Sequence, residues 1–206
     1  MTAVAKQAYY RHSGLAPQLA ARYWRAFGDA RRILDIGCGT GEFGRHKPSD
    51  AVEIVGVDID SGALAKAHAF ETIVPLDLSR NELPFDDESF DGVLAKDILE
   101  HIPEPLVLAC EAYRVLRPGG VLVASVVMAR PRAVWNDYTH VRGFTQNTAR
   151  LLFEDAGFHV EKVWRMGGVP LSRRLKFIWL VPHLLRVPGI AHVWASSWEI
   201  VAVKPQ

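Results

Sequence analysis

The chain has 206 residues, of which 49% are hydrophobic, and this is enough for one well-covered core but little for two. A net charge of +1 argues against a general nucleic-acid binder, and two cysteines are too few for a disulfide framework, so we expect one domain in a reducing, cytoplasmic setting. The amino terminus lacks the apolar core of a signal peptide, and no apolar run reaches the roughly 18 residues of a membrane span.

Charge is distributed unevenly along the chain. From Arg130 onward there are 11 Lys and Arg against 5 Asp and Glu, whereas the preceding part has 13 against 18. The basic third indicates either an anionic substrate facing the carboxy-terminal part or simply a solvated basic face, and both interpretations stay open.

Residues 4–27 carry aromatic and apolar side chains at helical spacing, interrupted at Gly14 and Pro17. We expect one or two helices here that cover the first strand. Tyr9, Tyr10 and His12 are candidates for a lid over a bound ligand, although packing of an amino-terminal helix is the favoured explanation of these side chains.

The stretch ILDIGCGTGEFG, Ile33 to Gly44, combines a short apolar strand, the acidic Asp35 and a glycine-dense turn. Glycines let the backbone turn sharply and approach a ligand closely, so the pattern predicts a nucleotide cradle. The glycines from Gly39 onward also match the G-x-G-x-x-G pattern, with Asp58 at about the spacing of a ribose-binding acid. This motif alone therefore leaves an NAD-binding oxidoreductase open.

Apolar runs and helical patterns alternate through the middle of the chain, which predicts an α/β fold with a doubly wound, parallel, Rossmann-like sheet. Pro48 requires the helix after the glycine turn to be short. The predicted strands are 33–36, 54–57, 72–76, 92–95 and 121–127, the predicted helices are 61–69 and 105–116, and Gly119 and Gly120 form the turn into the fifth strand.

The carboxy-terminal third predicts a helix that begins after Thr145 as N-cap and ends near Gly157, then two strands, the last over 198–203. About thirty residues separate those strands, well beyond an ordinary hairpin loop. This insertion, 167–197, is interpreted as a substrate cap, a dimer surface or, through 171–195, a peripheral membrane contact, and the cap is favoured. The domain plan is therefore 1–30, 31–166, 167–197 and 198–206.

Four blocks in this order, LDIGCGTG, VGVDID, PLDLSRNELPFDDESFDGVLAKDILEHI and LRPGGVLVAS, resemble the class I S-adenosylmethionine-dependent methyltransferases. Their order and spacing are more specific than a single glycine pattern, and they favour this family over a dinucleotide enzyme. The resemblance implies S-adenosylmethionine as cofactor. It also implies a seven-stranded sheet in the order 3-2-1-4-5-7-6 with an antiparallel last strand.

The resemblance also implies how the cofactor is held. Asp35 would face its amino group, glycine-turn amides its carboxylate, Asp58 both ribose hydroxyls, and Asp77 the adenine amino group. Ile59 and Leu78 would be the apolar walls. The residues expected to contact the cofactor are Asp35, Gly37, Cys38, Gly39, Gly41, Asp58, Ile59, Asp77, Leu78 and Lys96.

Methyl transfer to a hydroxyl needs alignment of the acceptor and, at neutral pH, gains from a base. The loop WNDYTHVRGFT, 135–145, resembles a ligand-side segment of small-molecule methyltransferases, so His140 is the leading catalytic candidate and His101 the second. Trp135, Tyr138 and Arg142 are the candidate substrate residues. A loop that is merely clamped to the core is an equal alternative.

Asp97, Glu100 and His101 resemble the pattern with which ubiquinone-pathway O-methyltransferases hold a divalent cation. That pattern begins with glutamate, however, and no further ligand lies nearby in sequence. We therefore expect no metal and a turnover that does not require a divalent cation.

The sequence thus predicts O-methylation of a small hydroxylated metabolite or sugar. A lipid-linked acceptor, an RNA acceptor and a non-catalytic cofactor-binding module are the alternatives. Nucleic acid is the least favoured partner because no RNA-binding appendage is recognisable, and a homodimer stays open.

Overall fold

The computed structural model describes residues 15–80, 82–166 and 195–206. The candidate lid and most of the insertion, with its proposed membrane contact, lie outside these residues. The elements in chain order are α1 (Pro17–Phe27), β1 (Arg32–Ile36), a 3-10 turn (Gly44–His46), β2 (Glu53–Asp58), α2 (Ser61–Leu64), β3 (Thr72–Pro75), β4 (Phe90–Lys96), a second 3-10 turn (Leu99–His101), α3 (Pro105–Val115), β5 (Leu116–Val127), α4 (Pro131–Val134), α5 (Gln146–Asp155), β6 (His159–Met166) and β7 (Ser197–Val203).

The strands form one seven-stranded sheet in the order β3-β2-β1-β4-β5-β7-β6, as the resemblance implies. The pairs from β3 to β5 are parallel, whereas β7 runs antiparallel to both β5 and β6. The carboxyl ends of β1, β2 and β4 therefore meet at one edge, which is where ligands bind in open α/β sheets.

Two apolar layers cover the sheet, because successive side chains of a strand point to opposite faces. One face packs against α3 and α5, and its core includes Leu34, Val93 and Phe153. The other face packs against α1 through Ile33 and Leu94.

Helix α1 begins with Pro17 at its first turn, where a missing N–H costs no hydrogen bond. Its buried residues Ala20, Tyr23, Trp24 and Phe27 follow the i, i+3, i+4, i+7 spacing of one helical face. The helix therefore lays a continuous aromatic stripe on the sheet, in agreement with the predicted amino-terminal cover.

Two predicted elements differ from the observed ones. The helix predicted over 61–69 ends at Leu64, because Lys66 and Ala67 make i→i+3 bonds and Ala67 then packs against Gly41, where a Cβ would lie 3.0 Å from the Ala67 Cα. The predicted turn at Gly119 and Gly120 lies inside a longer β5, since Leu116 already pairs with Phe90; the register shifts before Val121 pairs with Gly92, and Gly119 in this stretch has φ +77°.

The helix caps agree with the sequence. The Thr145 side chain accepts a hydrogen bond from the Thr148 amide in a reciprocal capping box, and Gly157 follows the end of α5 with φ +101°. Within the described ranges, no helix combines the length and apolarity needed to cross a membrane.

Candidate active site

The face of the sheet under α1 changes from apolar to polar toward the carboxyl ends of the strands. Lys96 of β4 is in register with Ser125 of β5, which is in register with Glu199 of β7. Period-two alternation places these residues on the face of Leu94, Val123 and Val201, and Asp35 of β1 on the same face as Ile33. A row of buried polar groups therefore continues the apolar layer at the ligand end.

Asp35 is 3% exposed, and its pKa is raised from 3.8 to about 7. Burial is the main cause, the charge of Asp58 adds to it, and Lys96 opposes it. A cation beside a buried carboxyl group stabilises its ionised form. Asp35 therefore fits the expected contact with a cofactor ammonium group.

Lys96 and Asp97 form an ion pair at the end of β4, and Asp97 also accepts a 2.6 Å hydrogen bond from the Ser125 hydroxyl. Burial opposes both charges, but each partner outweighs it, so the pKa of Lys96 is raised and that of Asp97 is lowered. Asp97 has φ +53°, a left-handed conformation that is uncommon outside glycine and is found often at functional sites.

Glu199 was not among the residues predicted from the sequence. It is 1% exposed and accepts a 2.7 Å hydrogen bond from the Tyr23 hydroxyl of α1. Burial raises the pKa of Glu199 to about 7, and burial together with the charge of Glu199 raises the pKa of Tyr23 well above its usual value. This contact fixes α1 over the polar row.

The backbone amides of the glycine turn donate to acceptors other than those expected. Those of Gly37 and Cys38 donate to the Val57 carbonyl, Gly39 donates to Asp58 at 2.9 Å, and Gly41 donates to the Cys38 carbonyl. The predicted use of the Gly37, Gly39 and Gly41 amides for the cofactor carboxylate is therefore wrong for the described conformation, because all three satisfy acceptors within the protein.

Asp58, at the end of β2, holds the turn in place. One carboxylate oxygen accepts from the Gly39 amide and the other from the Asp60 amide, both at 2.9 Å. Each carboxylate oxygen has a second lone pair, so this arrangement is compatible with ribose hydroxyls as additional donors. The neighbouring Ile59 is 61% exposed, as an apolar wall for a ligand must be.

The remaining cofactor candidates, Asp77, Leu78 and Cys38, differ in their surroundings. Asp77 accepts hydrogen bonds from the amide and hydroxyl of Ser79, which lower its pKa, so it forms a turn as well as standing at the expected position. Leu78 is buried in the core beneath β1, and the Cys38 thiol is buried with a raised pKa. The packing of Cys38 is that of a small apolar side chain.

The loop 135–145 is bound to the second 3-10 turn. The Val141 amide donates to the Glu100 carbonyl at 2.9 Å, and the Arg142 guanidinium donates to the Pro103 carbonyl. Arg142 thus acts as a clamp in the described structure. Trp135 and Tyr138 are 68% and 77% exposed, so among the described residues they stand at an open surface.

These clamps bring His101 and His140 together, with ring centroids 4.7 Å apart. The Nδ1 of His140 lies 2.8 Å from the Val134 carbonyl, an acceptor only, so Nδ1 carries the hydrogen. The Thr139 hydroxyl gives its hydrogen to Asp137, so it accepts from Nδ1 of His101 at 3.0 Å. When either ring is neutral, Nε2 therefore carries the lone pair. Burial and His140 lower the pKa of His101, which keeps that ring neutral.

Glu100 lies beside this pair and is 2% exposed. Burial and the charge of Asp97 raise its pKa to about 8. The three residues of the ubiquinone-pathway cation pattern do not fit a metal as a set, because Asp97 is engaged by Lys96 and Ser125 on the α1 face.

Comparison with known proteins relates the central part of the chain to a family. The model of a family described as a methyltransferase domain matches residues 34–124. The ubiquinone biosynthesis O-methyltransferase of Alkalilimnicola ehrlichii is 33% identical over 111 residues, 51% of this chain and 45% of that protein. The chain thus spans about half the length of the curated relatives that it matches.

Solved structures share the whole fold at lower identity. A SAM-dependent methyltransferase from Archaeoglobus fulgidus superposes with a TM-score of 0.71 at 22% identity, covering 91% of this chain and 92% of that one. The cyclase SpnF has a TM-score of 0.68 at 21% identity, covering 92% and 81%. These likenesses show the fold, and the dinucleotide alternative finds no support among them. Residues 34–124 of the chain thus match a methyltransferase-domain family, and the fold is the one found in solved S-adenosylmethionine-dependent methyltransferases.

Proposed function

We propose that the protein transfers the methyl group of S-adenosylmethionine to a hydroxyl oxygen of a small acceptor. The observation that carries this proposal is the pair of imidazoles of His101 and His140, each held through Nδ1 so that Nε2 bears the lone pair when the ring is neutral. The name of the 33% identical relative, an O-methyltransferase, points in the same direction.

The cofactor contacts are proposed from the groups at the carboxyl ends of β1 to β3. Asp35 would pair with the ammonium group, Asp58 would accept the ribose hydroxyls, and Asp77 would accept from the adenine amino group, with Ile59 against one adenine face. When bound, the cofactor supplies a methyl group that its sulfonium activates for in-line displacement. The protein must then align the acceptor, exclude water and take up one proton.

His140 is proposed as the base. Its Nδ1–H bond to the Val134 carbonyl fixes the ring, and Nε2 takes the hydroxyl proton as the oxygen attacks the methyl carbon. His101 is proposed to assist by offering a second neutral nitrogen at the acceptor oxygen. The Glu100 carboxyl lies beside both rings and, once ionised, would stabilise the imidazolium that forms on His140.

The acceptor class rests on the open surface of the loop 135–145. Trp135 and Tyr138 present exposed aromatic faces near the histidine pair, which suits a hydroxylated metabolite or a sugar. A lipid-linked acceptor is the next choice. Arg142 would contribute to acceptor binding by holding the loop in place. We also propose that the protein is cytoplasmic.

His140→Asn tests the assignment sharply, because the asparagine amide nitrogen can replace Nδ1 as donor to Val134 while nothing replaces Nε2. With a panel of hydroxylated acceptors assayed for adenosylhomocysteine release, we expect turnover to fall about a hundredfold. Cofactor affinity and melting temperature should stay near those of the wild type.

The exposed His159, at the start of β6, supplies the matched control, and His159→Ala should leave turnover unchanged. Wild-type turnover in a folded His140→Asn variant would remove His140 from the mechanism. A variant that melts early and loses cofactor affinity in proportion would instead favour the clamp interpretation of the loop.

A further inference from the structure

We propose that Glu100, His101 and His140 form a binding site for a divalent cation of the zinc class, and that the cation inhibits the enzyme by occupying its basic nitrogens. One ligand atom from each of these residues lies within 4.8 Å of the other two. The inhibition rests on the proposed function, whereas the binding site does not.

The two imidazoles are already arranged as metal ligands. The Val134 carbonyl and the Thr139 hydroxyl accept the Nδ1 hydrogens, and Asp137 in turn accepts the Thr139 hydrogen at 2.6 Å. Metal-binding histidines have such acceptors on the nitrogen that does not touch the metal, because they fix the tautomer and the ring orientation.

Glu100 gives an independent indication of a missing ligand. Its Oε2 is buried and has no hydrogen-bond partner among the described residues. An unsatisfied buried oxygen is costly, and a cation between it and the two rings would satisfy it.

The donor set selects the metal. Two imidazole nitrogens and one carboxylate oxygen suit zinc and related transition metals, whereas magnesium prefers oxygen ligands and retains its waters. Ligand atoms around a tetrahedral zinc lie about 3.3 Å apart, so ligand atoms within 4.8 Å of one another must approach by up to about 1.5 Å. Both histidines are half-buried, which leaves a solvent-facing fourth position.

This site differs from the pattern suggested by the sequence. Asp97 is committed to Lys96 and Ser125, and its place is taken by His140 from a loop 39 residues beyond His101. Because zinc would bind through the lone pairs that the proposed base needs, it lowers turnover. The metal-free protein is the active form.

The test is calorimetric titration of the purified, chelator-treated full chain with zinc chloride, without cofactor or acceptor. We expect one zinc per chain, and an affinity about tenfold or more lower in His101→Asn and in His140→Asn, both of which keep the Nδ1-like donor. Magnesium should give no measurable heat. Cys110→Ser, which removes the exposed thiol, and His159→Ala should bind zinc like the wild type.

Zinc affinity that is equal in the wild type and in both Asn variants would overturn the site, as would magnesium binding of similar strength. The effect on turnover is measured separately: chelator should leave wild-type activity unchanged, and zinc at saturating concentration should reduce it at least tenfold. Zinc that binds at these residues and leaves turnover unaffected would overturn the inhibition while the site stands. A protein that binds zinc and shows no turnover with any acceptor would contradict the proposed function alone.

Discussion

Asp35→Asn should make the cofactor-free protein more stable and the cofactor weaker in binding. The side chain keeps its size, so the variant changes charge and not packing. The pKa of Asp35 is raised from 3.8 to about 7 in the folded protein. At about 1.4 kcal/mol per pH unit, holding this carboxylate ionised costs up to about 4 kcal/mol of folding free energy.

The sign of the pH dependence follows from this direction. Asp35 has a higher pKa in the folded state than in the unfolded state. Its contribution to the free energy of unfolding is therefore fully present below about pH 4, where it is protonated in both states, and is lost as pH rises through 7. The difference in free energy of unfolding, Asp35→Asn minus wild type, should therefore increase between about pH 4 and 7 by up to about 1.4 kcal/mol per unit. Above pH 7 it should be constant.

Urea denaturation of both proteins from pH 4 to 8 measures this difference, and the exposed Asp86→Asn is the matched control with a flat profile. Calorimetry with adenosylhomocysteine at pH 8 should show the variant binding about 1.5–3 kcal/mol more weakly, the scale of a charged hydrogen bond. A stability difference that does not change with pH would refute the account of Asp35. Unchanged cofactor affinity would refute its contact with the ammonium group.

Two further variants test single contacts. Asp58→Ala removes the acceptor of the Gly39 and Asp60 amides, so both the melting temperature and the affinity for adenosylhomocysteine should fall. Calorimetry should show binding weakened by about 1.5–3 kcal/mol. Unchanged affinity would mean that another residue binds the ribose. Tyr23→Phe leaves Glu199 without its donor and should lower the free energy of unfolding, measured by urea denaturation, by about 1–3 kcal/mol. The loss should be larger at pH 8 than at pH 6, because the pKa of Glu199 is about 7. Equal losses at both pH values would contradict this.

The strand framework was predictable because its signals are local. The apolar run of β1, the capping box at Thr145 and the glycine after α5 each determine structure within a few residues. The order of the strands came from the resemblance of four motifs. Where local signals misled, a distant contact was responsible, as when Ala67 packs against Gly41 and the helix α2 ends early.

The site residue that we did not predict from the sequence owes its position to the pairing register of the strands. Glu199 is a single acidic residue within the apolar strand WEIVAV, and nothing local indicates that β5 places it beside Ser125 or that α1 brings Tyr23 to it. A lone acid in an otherwise apolar strand is the signal that was available. Likewise, His101 and His140 were each predicted as catalytic, but their pairing depends on the hydrogen bond from Val141 to Glu100.

The distribution of buried charge separates the part of the molecule that holds the fold from the part that binds. Asp35, Glu100 and Glu199 all have raised pKa values, and all lie toward the edge of the sheet where the parallel strands end: Asp35 in β1, Glu100 in the turn after β4, and Glu199 near the amino end of the antiparallel β7. Deeper in the sheet both faces are apolar. Such carboxyl groups destabilise the protein when they ionise without a partner. A cationic ligand relieves this cost only when it is bound, so the free energy lost to stability in the ligand-free protein is regained as affinity.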